Sequence, residues 1–103
     1  MVDVKKMMRQ AQQMQDKLQT ELEEMRVSAT VGGGMVTATV NGAKALLELK
    51  IERDVVDPDD VEMLQDLVVS AVGEATRRAD EQAQQKIGGM IPGGLGALGG
   101  MLG

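Results

Sequence analysis

A chain of 103 residues has room for one small domain. It contains no Phe, Tyr or Trp, so the core has no aromatic residues. It also contains no Cys or His, which excludes disulfides, the usual zinc ligands, and catalysis by a thiol or an imidazole. Aliphatic residues and nine methionines must fill the interior, which predicts a marginal core that self-association would support. The formal net charge of −5 argues against a uniformly basic nucleic-acid binder, and we expect no enzyme, no cofactor and no small-molecule substrate.

The first predicted element is an amphipathic helix from Val4 to Met25. Its apolar residues recur at helical spacing and occupy an arc of about 120°, taking about 100° per residue. Residues 1–20 contain four bases against two acids, whereas the remainder contains seven bases against fourteen acids, so positive charge is local to this helix. The four bases share the face opposite the apolar stripe, and they are Lys5, Lys6, Arg9 and Lys17.

Three strands follow between Arg26 and Arg53, where apolar residues alternate with polar ones at a period of two. Asn41-Gly42 predicts a tight type I′ hairpin turn with positive φ at both residues. The glycines Gly32 to Gly34 predict a looser connection between the first two strands. Together these signals indicate a three-stranded antiparallel meander.

A second helix is predicted after Asp57-Pro58-Asp59-Asp60, with Asp57 as the N-cap and Pro58 at the first helical position. Its stripe of Val, Leu and Ala continues to Ile87, and Gly88-Gly89 is expected to end it. About 30 residues give roughly 45 Å of helix, much longer than the strands. Both helices should therefore overhang the sheet, and the alanine-lined stripe suggests helix-on-helix contacts within or between chains.

These elements predict one α+β domain over residues 1–87 and a flexible Gly/Met-rich tail over residues 88–103. No signal peptide is visible and no apolar run reaches the roughly 18 residues of a membrane span, so we expect a cytoplasmic protein without a membrane partner. The acids between Asp54 and Asp66 resemble a metal cluster, but capping and helix-dipole roles account for half of them. We expect no metal site.

Three short motifs, in the same order as the elements, carry a family resemblance: MMRQAQQMQDKLQ, GGGMVTATVNG and DVEMLQDLVVSAVGEATRRADE. Together they resemble the YbaB/EbfC family of bacterial nucleoid-associated proteins. The resemblance implies an α-β-β-β-α protein that forms a homodimer with tweezer-like pairs of helices and binds double-stranded DNA. The positions that match the family's DNA contacts are Lys5, Lys6 and Arg9 in the first helix and Arg77 and Arg78 in the second.

The resulting hypothesis is a homodimer that binds duplex DNA mainly through its backbone, alters its conformation, and contributes to nucleoid organisation and gene regulation. The basic residues also allow plainer interpretations. Lys5, Lys6 and Arg9 fit an ordinary solvated helix face, and Arg77 and Arg78 fit pairs with acids of the same helix. An alternative from another class is a protein-interaction adaptor that uses its helical arms without binding DNA.

Overall fold

The computed structural model describes residues 3–90, and its elements follow the predicted order. Helix α1 spans Val4–Glu24, strands β1, β2 and β3 span Val27–Val31, Val36–Val40 and Leu46–Ile51, and helix α2 spans Val61–Met90, after a short 3₁₀ turn at Arg53–Val55. The predicted α+β class with order α-β-β-β-α is confirmed. Most of the predicted tail, residues 91–103, lies outside the described residues.

The three strands form one antiparallel sheet in the order β1-β2-β3. Val27 lies opposite Val40 and Ala29 opposite Ala38, so one face of the two strands is apolar. Helix α2 packs on this face over β1 and β2. The alanine stripe that predicted helix-on-helix contacts is instead buried against the chain's own sheet, where small side chains let the helix lie close: Ala71, Ala75 and Ala79.

The two hairpin connections differ in how well the sequence predicts them. Gly32, Gly33 and Gly34 all have positive φ, as a loose glycine turn requires. The type I′ prediction at Asn41-Gly42 is wrong, because neither residue has the positive φ that this turn requires. In this hairpin the residue with positive φ is Lys44, at 68°. Asn41 and Ala45 instead close a three-residue loop, in which the Asn41 side-chain oxygen accepts from the Ala45 amide at 2.9 Å.

Helix α2 begins three residues later than predicted. The Asp57 carboxylate accepts from the Asp59 amide at 2.9 Å and holds a turn through Pro58, whereas the Asp60 carboxylate accepts from the Met63 amide at 3.2 Å. Asp60 is therefore the N-cap, and the assignment to Asp57 is wrong. The predicted stop at Gly88-Gly89 is also wrong, since α2 continues to Met90. Neither helix in residues 3–90 has the length and apolar character needed to cross a membrane.

Helix α1 projects from one end of the sheet, as the predicted overhang requires. None of its residues is buried. Its C-terminal end is fixed where the Gly42 amide donates to the Leu22 carbonyl at 2.8 Å. Helix α1 therefore forms an arm held at one end.

Candidate nucleic-acid interface

The basic residues of α1 occupy its first two turns. The Asp3 carboxylate caps the helix by accepting from the Lys6 amide at 3.2 Å, which starts the helix immediately before the lysines. Lys5, Lys6 and Arg9 are exposed. Within residues 3–90, no carboxylate lies within 4.0 Å of their charged nitrogens. We call these three residues the α1 patch, and each keeps its full charge available to an anion in solvent.

The position of the α1 patch opposes the usual rule for helix stability. The first turn of α1 contains no acidic residue, and Lys5 and Lys6 lie at the positive end of the helix dipole. A cation there costs about 0.3–1 kcal/mol relative to the favourable arrangement. The same placement adds the dipole's partial charge to that of the lysines, so this end of the arm attracts anions more strongly than the residue charges alone would.

The α1 patch is also remote from the sheet. Lys5 precedes the anchored residue Leu22 by 17 positions, which corresponds to about 26 Å of helix. Most of the length of α1 thus separates the α1 patch from the hairpin and its contact with Asp80. On α1 itself, the side-chain amides of Gln12 and Gln19 pair with Asp16 and Glu23 one turn further along, at 3.0 and 2.9 Å.

The second group of predicted contacts lies on α2 and is neutralised by its neighbours. Arg77 contacts Glu74 and Glu81, both at 2.6 Å, on its two sides. The hydrogen bond from Arg77 is the main reason that the pKa of Glu74 lies below its ordinary value of 4.5. The hydrogen bond to Glu74 likewise raises the pKa of Arg77. The interpretation of Arg77 as an ion-pair partner within α2 therefore matches the geometry.

Arg78 connects α2 to the sheet. Its Nε lies 3.1 Å from Glu74, and its Nη1 donates to the Ser28 carbonyl of β1 at 3.3 Å. Two arginines and two glutamates make this cluster neutral overall. Arg78 contacts Ser28, the second residue of β1, whereas Lys5 lies about 26 Å along α1 from Leu22, so one chain keeps the two groups apart.

Sequence reasoning missed the residues that hold the arm and its hairpin in place. The Asn41-Gly42 pattern predicts only a turn at Gly42, whereas its backbone amide also caps the C-terminal end of α1. Lys44 lies in the same hairpin, and its Nζ lies 3.1 Å from the Asp80 carboxylate of α2. Neither contact has a local signal, since 20 residues separate Leu22 from Gly42 and 36 separate Lys44 from Asp80.

Comparison with known families decides the classification. The profile described as the YbaB/EbfC DNA-binding family matches residues 1–95. The chain belongs to this family. The YbaB/EbfC description names DNA binding and no reaction, in agreement with the expectation of a non-enzymatic protein.

Curated relatives of this YbaB/EbfC chain are named nucleoid-associated proteins. One from Ruminiclostridium cellulolyticum is 50% identical over 92% of this chain and 84% of its own length. One from Acetivibrio thermocellus is 47% identical over 96% of this chain and 89% of its own length. The crystal structure of an uncharacterised protein from Helicobacter pylori has the same fold, with a TM-score of 0.72 and 20% identity, covering 87% of this chain and 98% of that one.

Proposed function

We propose that this YbaB/EbfC protein binds duplex DNA as a homodimer at the bacterial nucleoid in the cytoplasm, mainly through the phosphate backbone. Bound DNA changes conformation, which contributes to nucleoid organisation and gene regulation. The observation that carries the proposal is the α1 patch: three exposed cations without ion-pair partners in residues 3–90, at the positive end of a projecting helix. The family and the names of its relatives support DNA as the anion.

Two copies of the α1 patch would present six cations, enough for about four to six phosphate contacts. If each contact releases about 0.9 counterion, the logarithm of the affinity falls with that of salt concentration at a slope of about −4 to −5. Contacts of this kind position a protein on the duplex and carry little sequence information. The expected binding mode is thus salt-sensitive and only weakly selective for sequence.

Arg77 and Arg78 complete the proposed contact set as secondary residues. Both side chains are about half exposed, with accessible fractions of 57% for Arg77 and 47% for Arg78. Each must share its charge with Glu74, and Arg77 also with Glu81. Their contribution to DNA affinity should therefore be smaller than that of the α1 patch.

The test compares two variants of equal net charge. In the first, Lys5, Lys6 and Arg9 are all changed to Gln, an uncharged polar residue of similar helix propensity. In the control, Lys50, Arg53 and Lys86 are changed to Gln. Binding to a fluorescent duplex is measured by anisotropy over a salt series.

The α1 patch variant should bind much more weakly than the wild type, and its salt slope should flatten by about 0.9 for each lost contact. The control variant should retain most of the affinity and the slope. Equal losses in both variants would mean that net charge alone controls binding, and an unchanged affinity of the patch variant would remove α1 from the interface.

A further inference from the structure

The Asn41-Gly42 pair joins α1 to the hairpin between β2 and β3. Asn41 is buried, with 7% of its surface accessible. The Gly42 amide donates to the Leu22 carbonyl at the C-terminal end of α1, at 2.8 Å. A Cβ added at Gly42 would lie 2.7 Å from the Met25 sulfur and 3.0 Å from a methyl group of Leu22. We call these contacts of Gly42 with Leu22 and Met25 the α1–hairpin junction.

The fold requires both residues of the pair. The Asn41 side-chain oxygen accepts from the Ala45 amide at 2.9 Å and closes the loop, and Gly42 lacks the Cβ that would push α1 away. In an Asn-Gly pair the absence of a side chain on the glycine leaves its backbone nitrogen unobstructed next to the side-chain amide of the Asn. The two requirements therefore place a pair that is prone to deamidation at the α1–hairpin junction.

Deamidation of such a pair is an intramolecular reaction. A base removes the proton from the Gly42 nitrogen, which then attacks Cγ of Asn41. The bond from Cγ to Nδ2 breaks, and ammonia leaves with one proton. One water molecule opens the resulting five-membered succinimide at either carbonyl, which gives aspartate or isoaspartate. The reaction consumes one water and releases one ammonia, so solvent is the only co-reactant.

The α1–hairpin junction protects both reacting groups. The proton that must leave the Gly42 nitrogen is donated to the Leu22 carbonyl, and a hydrogen-bonded amide of this kind reaches a base in solvent only when the local structure opens. The Asn41 side chain is held by the Ala45 amide at a buried position. The reaction therefore requires that α1 leaves Gly42 first.

We infer that Asn41 is a deamidation site protected by the α1–hairpin junction, and that it reacts when α1 detaches while the sheet and α2 remain folded. None of the residues of α1 is buried, whereas α2 contributes three alanines to the core. Detachment of α1 should therefore require less free energy than global unfolding. The inference does not depend on DNA binding.

Either product would keep α1 from attaching again. Isoaspartate adds the Cβ of residue 41 to the main chain, which moves the Gly42 amide away from the Leu22 carbonyl. Aspartate instead adds a negative charge at a buried position, next to the residue that contacts the negative end of the α1 dipole. Deamidation would thus make the detachment of α1 permanent.

The experiment follows deamidation in the full chain by mass spectrometry of the peptide that contains Asn41, the only Asn of the sequence. In the junction variant, Leu22 and Met25 are changed to Ala, which preserves the helix propensity of α1. In the control, Met63 and Leu64 near the start of α2 are changed to Ala; Leu64 packs against the core, so this variant lowers global stability and leaves the junction intact. All proteins are incubated at mildly alkaline pH, and the wild type in concentrated urea gives the rate of the unprotected pair.

The folded wild type should deamidate at least about 10-fold more slowly than the urea-unfolded chain, and the junction variant should recover most of that difference. The control should stay within about twofold of the wild-type rate, because Asn41 reacts through local detachment of α1. Below the unfolding transition, the wild-type rate should depend only weakly on urea concentration, since detachment of α1 exposes little surface.

Three results would overturn the inference: equal acceleration in both variants, a wild-type rate as steep in urea as global unfolding, or a folded wild type as reactive as the unfolded chain. The first two would mean that Asn41 reacts only from the unfolded chain, and the third that the junction gives no protection. None of these measurements involves DNA, so their failure is distinct from failure of the proposed function.

The variant Asn41→Asp tests the consequence of the reaction without the reaction itself. Its helicity by circular dichroism should be lower than that of the wild type, while the sheet and α2 still unfold cooperatively in urea. Wild-type helicity in this variant, and in purified deamidated protein, would contradict permanent detachment of α1.

Discussion

Two glycines of this chain have opposite surroundings, and the contrast identifies what each residue does. A Cβ added at Gly42 would lie 2.7 Å from the Met25 sulfur and 3.0 Å from the Leu22 carbonyl oxygen, whereas one added at Gly73 would meet nothing within 4 Å. Gly42 is thus required by the close approach of α1 to the hairpin. Gly73, in the interior of α2, occupies a site where a larger residue is free to stand.

Changing Gly42 to Ala should destabilise the fold by about 1–3 kcal/mol, because backbone and side chain must separate to admit the methyl group. The loss should be measured as the free energy of unfolding in urea, followed by circular dichroism. The contact between the C-terminal end of α1 and Gly42 should be lost first, so helicity should decrease before the main urea unfolding transition. A variant as stable as the wild type would contradict the close packing of Gly42 against Leu22.

Changing Gly73 to Ala should raise the free energy of unfolding by about 1 kcal/mol, since glycine in a helix interior is less favourable than alanine by this amount. The same urea experiment checks it, with Gly42→Ala as the counterpart of opposite sign. A decrease in stability would show that the exposed face at Gly73 is closely packed in solution.

The ion pairs of Glu74 predict a pH dependence with a definite sign. Because the folded-state pKa of Glu74 lies below its ordinary value of 4.5, its contribution is present above 4.5 and disappears as the pH falls through the lowered value. The stability difference between the wild type and Glu74→Gln should therefore be largest near neutral pH and vanish in acid. Urea midpoints of both proteins across this range give the measurement, and a difference that grows towards acid would refute it.

Among the elements, α1 combines two requirements that conflict. Its first-turn lysines weaken the helix but place positive charge where an anion can reach it. In contrast, the exposed ion pairs of α2 join residues three and four apart and support the helix that contains them. The two helices therefore have different roles: α2 packs on the sheet to form the core, and α1 carries the α1 patch.

Changing Lys5 and Lys6 to Glu should raise helicity while reducing duplex affinity. Each acid at the positive end of the dipole should stabilise α1 by about 0.3–1 kcal/mol. Helicity by circular dichroism and duplex affinity should therefore change in opposite directions. Lys17→Glu, on the same face but in the middle of α1, should give no gain in helicity. A joint loss of helicity and binding in the double variant would indicate that the lysines are structural.

Local patterns predicted the elements better than their ends. The alternation of apolar residues located all three strands, although only β1 and β2 bury one face under α2 and β3 is exposed up to Ile51. As residue types, Asp57 and Asp60 are equally suited to cap a helix. In the fold, the Asp57 carboxylate is used in the turn through Pro58, so the N-cap is Asp60. Gly88 and Gly89 remain helical because they continue an already long helix.

The candidate site was predictable to the same degree. Helical spacing placed Lys5, Lys6 and Arg9 together on a solvent face, and it also suggested that Arg77 pairs within α2. The contact of Arg78 with Ser28 joins residues 50 positions apart, and no local pattern contains it. The DNA-binding role of all five residues stays a prediction.

For the whole molecule, the absence of aromatic residues favours duplex over single-stranded DNA as the ligand. Single-stranded DNA is usually held by bases that stack on aromatic side chains, a contribution of about 1–3 kcal/mol per base. This chain has none to offer. A duplex should therefore bind more tightly than either of its separated strands in a competition experiment at constant salt, and tighter binding of the single strand would contradict backbone recognition of duplex DNA.

The anchorage of α1 at Gly42 has a mechanical consequence. If α1 pivots near Leu22, it acts as a lever about 26 Å long. A rotation of about 10° then shifts Lys5 by roughly 4–5 Å, which exceeds the donor–acceptor distance of a hydrogen bond. One protein can then match phosphate rows of unequal width without altering its sheet. Such a rotation of α1 would let the α1 patch contact the phosphates of straight or curved DNA.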